Sequence, residues 1–435
     1  MRRLILIAVL VSAASGCSEK PTDDNLDKWM RTERGPGKLQ HTVADESLDA
    51  DVSAHAAVNL VRMGRDPDVK AVLEQMSKGR KAEVVSKLIT RLWAIARVDG
   101  DMKLPGPPQV SAKDALVMIR KYGGDAERKQ IDDYMIDWYA VPSYEGRANA
   151  GQFTGSTVIR MIGAPSGKKL IGVLDGVIAA PGQEKVKNKV GDELLIALAA
   201  TQDPTAVKDE LALVRMNRGD DSLPGRVLAA LARVYVDPQG LFDVAEAAPL
   251  VPNLDFLVSI AKDDSMSGAI ANDAISLIRA VGPPQCLQPL VDMIPQPHGS
   301  SRYRYVVATN AIQCGGAKSI AQVIRALPEG SYDQASLGGS VINAIVAATP
   351  RDVTLAQVRE LLGDKGRVQR WIAVEALAKL KSVEDAPKLL ALAHAPEKLD
   401  GFWGDQSGVD AKDRKADPTL GDRAKELAGQ LGAGK

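Results

Sequence analysis

The run Val368-Gln-Arg-Trp-Ile-Ala-Val-Glu-Ala-Leu-Ala-Lys-Leu380 decides the fold. Within it Ala373, Ala376 and Leu377 stand at i, i+3 and i+4, the spacing that puts side chains on one face of an α-helix. The same triplet recurs upstream as Ala274, Leu277 and Ile278, then Ala308, Ala311 and Ile312, then Ala344, Ala347 and Ala348, in steps of 34, 36 and 29 residues. Self-similarity at such a period marks a repeat array. Small Ala at the same place in every copy lets neighbouring helices approach closely.

Proline supplies the register between the copies. Asp66-Pro67, Ala164-Pro165, Asp203-Pro204, Asp237-Pro238, Pro283-Pro284 and Thr349-Pro350 sit between pairs of apolar-periodic stretches. From Pro165 the steps are 39, 34, 45 and 67, the last close to two repeats. Proline is tolerated at the first position of a helix, and the Asp or Thr before it is a good N-cap. Each site therefore reads as the start of a second helix in a hairpin. The second helices carry stripes of their own: Val69, Val72, Leu73 and Met76; Leu170, Val173 and Leu174; Leu287, Leu290, Val291 and Ile294; Leu389, Leu390 and Leu392.

Together with Val52–Met63, where Val52, Ala56, Ala57, Leu60 and Val61 oppose Ser53, His55, Asn59 and Arg62, these stretches resemble HEAT repeats, in particular the short bacterial kind of the phycobilisome lyases. The resemblance implies an all-α fold, an α-solenoid of about ten HEAT-like helical hairpins, with first helices near 52, 84, 113, 157, 192, 227, 270, 305, 341 and 369. Residues 100–150 and 236–262 depart from the pattern with extra length and Gly/Pro. The Trp, Leu-Gly and Tyr positions of tetratricopeptide repeats are missing, and no sheet is expected. No hairpin of this kind buries its apolar face alone, so each leans on its neighbours, and the expected body is a curved rod with a long concave face. Such faces bind proteins or peptides.

Composition agrees. The 435 residues suffice for two or three ordinary domains or one long array. Apolar residues are 45% but aromatics only 4%, so the core is aliphatic and suits close-packed helices.

Residues 1–17 read Met-Arg-Arg, an apolar run Leu4–Ala14, then Ser15-Gly16-Cys17. A basic start, a short greasy stretch and small residues make a secretory signal peptide, and 11 apolar residues fall short of the about 20 of a spanning helix. Ala14-Ser15-Gly16-Cys17 resembles the lipobox of bacterial lipoproteins, although that family prefers Leu where Ala14 stands. The resemblance implies a diacylglycerol thioether on Cys17 and cleavage before it. Ser18 after the cysteine implies, in Gram-negative lipoproteins, the outer membrane facing the periplasm. The alternative is ordinary cleavage, leaving a soluble exported chain. Residues 1–16 are thus read as signal peptide, 17–26 as lipidated Cys17 and flexible tether, 27–395 as the HEAT-like solenoid, and 396–435 as a C-terminal loop insertion with a capping helix. Lys plus Arg and Asp plus Glu are both 55. Loss of Arg2 and Arg3 leaves a net charge of −2, with no basic field for nucleic acid.

Reactive constellations are not evident in the sequence. His41, His55, His298 and His394 form no metal-ligand pair. His55 reads as a solvated residue on a polar face. Gly163-Ala-Pro-Ser-Gly-Lys168 is one residue short of a phosphate loop and joins two helices. Asp99-Gly-Asp101 and Arg218-Gly-Asp-Asp221 read as solvated acidic turns. No catalytic, metal or cofactor residue is assigned, and no small-molecule substrate is expected. Cys286 and Cys314 fall in adjacent repeats, and two readings stand: a disulfide, or two buried thiols packing as small apolar groups. Phe402 and Trp403 lie in the Gly/Asp/Lys-rich stretch 398–418, ahead of a short helix at 422–431. They read as an exposed partner contact or as part of a cap on the end of the array. The expected function is a membrane-tethered, non-catalytic scaffold or adaptor that binds a protein partner. Alternatives are an accessory to an enzyme, like the chromophore lyases, and a purely structural envelope spacer.

Overall fold

The computed structural model describes residues 19–101, 103–180, 186–217, 222–237, 243–295, 301–410 and 412–432. The segment 1–18, where the signal peptide and the lipidated Cys17 are expected, lies outside them, as do Pro238, His298 and Arg218-Gly-Asp-Asp221. The chain is an all-α array of HEAT-like hairpins, an α-solenoid fold. Among the described residues the sole β-type pairing is an isolated bridge between Lys398 and Thr419. The chain divides into two compact units, residues 1–158 and 159–435.

Unit 1 runs α1 (Asp23–Trp29), α2 (Gly35–Ala44), α3 (Ala50–Arg62), α4 (Asp66–Gln75), α5 (Lys78–Ala96), α6 (Pro107–Ile119), α7 (Asp125–Tyr139) and α8 (Tyr144–Ala148); α9 (Gly155–Ile162) holds the division. Helix α3 starts where the Asp49 side chain accepts from the Asp51 N–H at 2.7 Å, satisfying a donor that the first turn leaves unpaired. It packs on α2 and α5, and α5 packs on α6.

Three expectations are corrected in unit 1. The tether does not reach residue 26: Asp23 and Asp24 favour a helix start, Leu26 and Trp29 stand one turn apart, and α1 forms with both of them buried. Of the polar face of α3 only Arg62 stays exposed, because α1 and α5 cover Ser53, His55 and Asn59. Asp27 accepts from Asn59 at 3.0 Å and sits 2.9 Å from His55 Nε2, Asp23 is 2.7 Å from His55 Nδ1, and Arg80 donates to Ser53 Oγ at 3.0 Å. Finally, the helix near 113 is not a first helix: α6 packs back on α5 as the second helix of that hairpin, beside α4, and α7 follows α5.

Unit 2 continues with α10 (Gly167–Ala179), α11 (Val186–Lys189), α12 (Asp192–Ala200), α13 (Pro204–Met216), α14 (Ser222–Tyr235), α15 (Leu254–Ala261), α16 (Gly268–Ala280), α17 (Leu287–Met293), α18 (Ser301–Gly315) and α19 (Ile320–Arg325). A composite helix follows: α20 (Gln334–Leu337), a π turn at Gly338–Ile342, and α21 (Asn343–Ala347). Then come α22 (Arg351–Leu361), α23 (Arg367–Lys379), α24 (Ala386–Ala391) and α25 (Leu420–Gly432). The first helices α12, α14, α16 and α18 pack in sequence, and the π turn links α18 to α23. Polar rungs join successive repeats at the sequence period: Arg226 to Asp192 at 2.5 Å, Gln322 to Gln288 at 3.2 Å, Arg325 to Glu360 at 2.7 Å.

The proline register holds with local exceptions. Pro204 opens α13 and the Asp203 carboxylate caps it through Thr205 N–H at 2.8 Å. Asp66 is already inside α4, with no side-chain cap, and Pro350 is itself the N-cap residue of α22. Among the described residues no helix is long and apolar enough to cross a membrane.

Candidate functional site

The C-terminal segment folds back over the last repeats. Main-chain bonds from Tyr332 N–H to Asp400 O and from Gln334 N–H to Phe402 O, both 3.0 Å, lay residues 400–402 along the start of α20. Gly401 permits this: its φ is +77°, and a Cβ there would collide with Ser331 Oγ. Helix α25 closes the end, packing on α23 and α24. A bidentate ion pair clamps it, with Arg423 Nε and Nη2 at 2.7 and 3.0 Å from the buried Glu375 carboxylate, to which Trp371 Nε1 also donates at 3.1 Å.

Phe402 is therefore not a surface contact. It is only 4% exposed, seated 5.6 Å from the Trp371 ring with the Arg423 guanidinium over its other side. An aromatic ring next to a buried tryptophan gains more from burial than from display. Trp403 is 45% exposed and held by three contacts. Its Nε1 donates to Ala416 O at 3.1 Å, Lys415 Nζ lies 4.6 Å over its ring, and Phe402 meets it edge-on at 4.8 Å. Of the two aromatics, one caps and one is presented.

Between the π turn, α23 and α25 lies a polar cavity of about 220 Å³, lined by Gln334, Leu337, Gly338, Glu375, Lys379 and Gln430. Lys379 Nζ reaches Gly338 O at 3.3 Å and Asn343 Oδ1 at 2.5 Å, tying the π turn to the next repeat. The cavity's two charged lining residues are already engaged, Glu375 by Arg423 and Trp371 and Lys379 by Gly338 O and Asn343.

Three buried ionisable groups, Lys113, Arg147 and Glu210, went unnoticed in the sequence. Lys113 is wholly buried on α6; its ammonium donates to Asp114 Oδ1 at 2.6 Å and to Ala150 O and Phe153 O at 2.8 Å. Burial lowers its pKa, the ion pair opposing. With three protons engaged it is a staple for the loop 149–154, not a nucleophile. Arg147 does the same for the loop after α5, donating to Trp138 O at 2.8 Å and Lys103 O at 3.0 Å. Glu210 on α13 is fully buried, and neither carboxyl oxygen has a hydrogen-bond partner among the described residues. Desolvation raises its pKa well above the ordinary carboxylate value. Lys113 and Glu210 were detectable: Lys113 adjoins Ala112, Ala115 and Leu116, and Glu210 lies in the stripe Val207, Leu211, Val214.

The cysteines join α17 to α18. Cys286 and Cys314 form a disulfide with Cα atoms 6.3 Å apart. Among the described residues no group of three or more His, Cys, Asp or Glu side chains is placed to hold a metal ion.

No protein-family model matches this sequence, and no curated protein matches it either. Solved structures with similar helical arrangements include a multiply substituted mutant of Kap121p, at 12% identity over 94% of this chain and 44% of that one, TM-score 0.32. Kap121p bound to Ste12p gives 11% identity, 94% and 41% coverage, TM-score 0.27. Human deoxyhypusine hydroxylase in complex with glycerol gives 14% identity, 81% and 98% coverage, TM-score 0.20. The chain spans less than half the length of the Kap121p chains. Likeness at this level carries no argument, and the fold rests on the helices described above.

Proposed function

We propose that this chain is an exported lipoprotein, anchored through Cys17, that serves as a non-catalytic scaffold for a protein partner, probed first at Trp403. The observation that carries the reading is a helical repeat body closed by a cap that presents one half-exposed tryptophan, its ring held by Ala416, Lys415 and Phe402. Tryptophans held in place by their surroundings are favoured anchors in protein interfaces, because little side-chain freedom is lost on binding. The lipobox resemblance at residues 14–17 supplies the membrane and, with Ser18, the outer membrane facing the periplasm.

A photo-crosslinking residue at position 403, in the chain expressed with its own leader, tests the contact. One defined adduct band, absent when the same residue is placed at the exposed Lys129 on α7, supports the reading. Identical adduct patterns at both positions refute Trp403 as the contact, and the absence of adducts across a scan of exposed positions refutes the scaffold.

A further inference from the structure

The chain is docked almost as soon as it leaves Cys17. The Glu19 carboxylate accepts from Trp29 Nε1 at 2.9 Å and Lys28 Nζ at 3.3 Å, and Lys38 Nζ lies 3.6 Å away. These partners fix Glu19 beside the corner between α1 and α2. The turn after it is ordered too: Asn25 Nδ2 donates to Lys20 O at 2.9 Å, and Leu26 N–H to Thr22 O. Helix α1 is held in turn by buried Leu26 and Trp29 and by the Asp23 and Asp27 contacts to His55. Residue 19 therefore belongs to the folded body.

One residue, Ser18, separates Cys17 from Glu19, and at most about 3.6 Å of extended chain per residue step gives the two-step strap a reach of about 7 Å. A bilayer of about 40–45 Å with a hydrocarbon core of about 30 Å has headgroup layers about 5–7 Å thick. A strap no longer than the headgroup layer is thick cannot lift the body clear of it. Resting on the lipoprotein reading of Cys17, we propose that the α1–α2 corner of unit 1 lies flush on the lipid headgroups, so that this corner's partner is the membrane surface. The corner exposes Lys20, Arg31 and Arg34 beside Asp24 and Glu33, a mixed polar surface that phospholipid headgroups can solvate. The scaffold then works at the membrane plane, not from a flexible stalk.

The test uses the full lipidated chain with Glu33→Cys carrying a fluorophore, Glu33 being an exposed corner residue. The protein is placed in vesicles of phosphatidylethanolamine with a minority of phosphatidylglycerol and a trace of headgroup nitroxide lipid. A second chain carries twelve Gly/Ser residues inserted between Ser18 and Glu19, adding roughly 17–21 Å of root-mean-square reach. The N-terminal peptide of both is weighed. A diacylglyceryl Cys17 with strong quenching that falls severalfold on lengthening supports the proposal. A lipidated chain quenched equally at both lengths overturns the flush docking and leaves the anchor standing. An unmodified Cys17 overturns both.

Discussion

Replacing Glu210 by leucine should stabilise unit 2, and by more as the pH rises. The side chain is fully buried on α13, both oxygens lack hydrogen-bond partners among the described residues, and no opposing charge offsets the desolvation. Nearby Tyr235 gives no relief, since its hydroxyl donates to Ala199 O at 3.1 Å. An unsatisfied buried polar group costs about 1–3 kcal/mol even when neutral, and leucine fills similar volume without it. Ionisation adds a second cost. The folded acid has a raised pKa, so in the unfolded chain it loses its proton first, above about 4.5. Its contribution is therefore intact below that pH. It is lost at about 1.4 kcal/mol per pH unit as pH climbs from there to the folded value. Urea unfolding of the wild type and Glu210→Leu at pH 5, 6, 7 and 8 measures the difference. The expected gap favours leucine by about 1–3 kcal/mol near pH 5 and widens with pH. A gap that stays constant, or a variant less stable than the wild type at pH 7, would refute the reasoning.

Lys113→Met should destabilise unit 1 by about 3–5 kcal/mol, because it strips the half-buried Asp114 carboxylate of its counter-ion and Ala150 O of its donor; tryptophan fluorescence reports it, since Lys113 lies over the Trp138 ring. Cys314→Ser opens a loop of 28 residues and should cost about 3–4 kcal/mol on the chain-entropy account. Thiol titration of the denatured, unreduced wild type should find neither Cys286 nor Cys314 free, and two free thiols would remove the bridge. Gly401→Ala must adopt a positive φ, costing about 1–2 kcal/mol, and must push against Ser331. Hydrogen exchange should then quicken at Tyr332 and Gln334, whose amides bond residues 400 and 402, while α12–α16 stay protected.

The repeat was legible because it is written in residues that serve only packing. Ala274, Leu277 and Ile278 face a neighbour in α16 for the same reason that Ala373, Ala376 and Leu377 do in α23, and helical turns form at all ten expected places, the one near 113 as a second helix. What escaped is long-range partnership. Ser53, His55 and Asn59 look like a wet face until α1 and α5, with Asp27 and Arg80, cover them. Helix α1 itself is short and polar, held by tertiary contacts more than by propensity. Between an exposed contact and a cap the sequence left Phe402 undecided, because loop composition says nothing of the Trp371 ring beneath it. Lys113 and Glu210 interrupt apolar stripes and were readable as anomalies. That one is a saturated donor and the other an unpartnered acid depends on loops and helices distant in sequence.

The account stands on a helical repeat body fastened to a membrane by its first mature residue. Mass spectrometry of the N-terminal peptide from detergent-extracted protein, made in a bacterium with its own leader, tests that attachment most directly. The peptide should begin at Cys17, read Cys-Ser-Glu-Lys, and carry a diacylglyceryl thioether. A chain that begins elsewhere, or an unmodified Cys17, would contradict it.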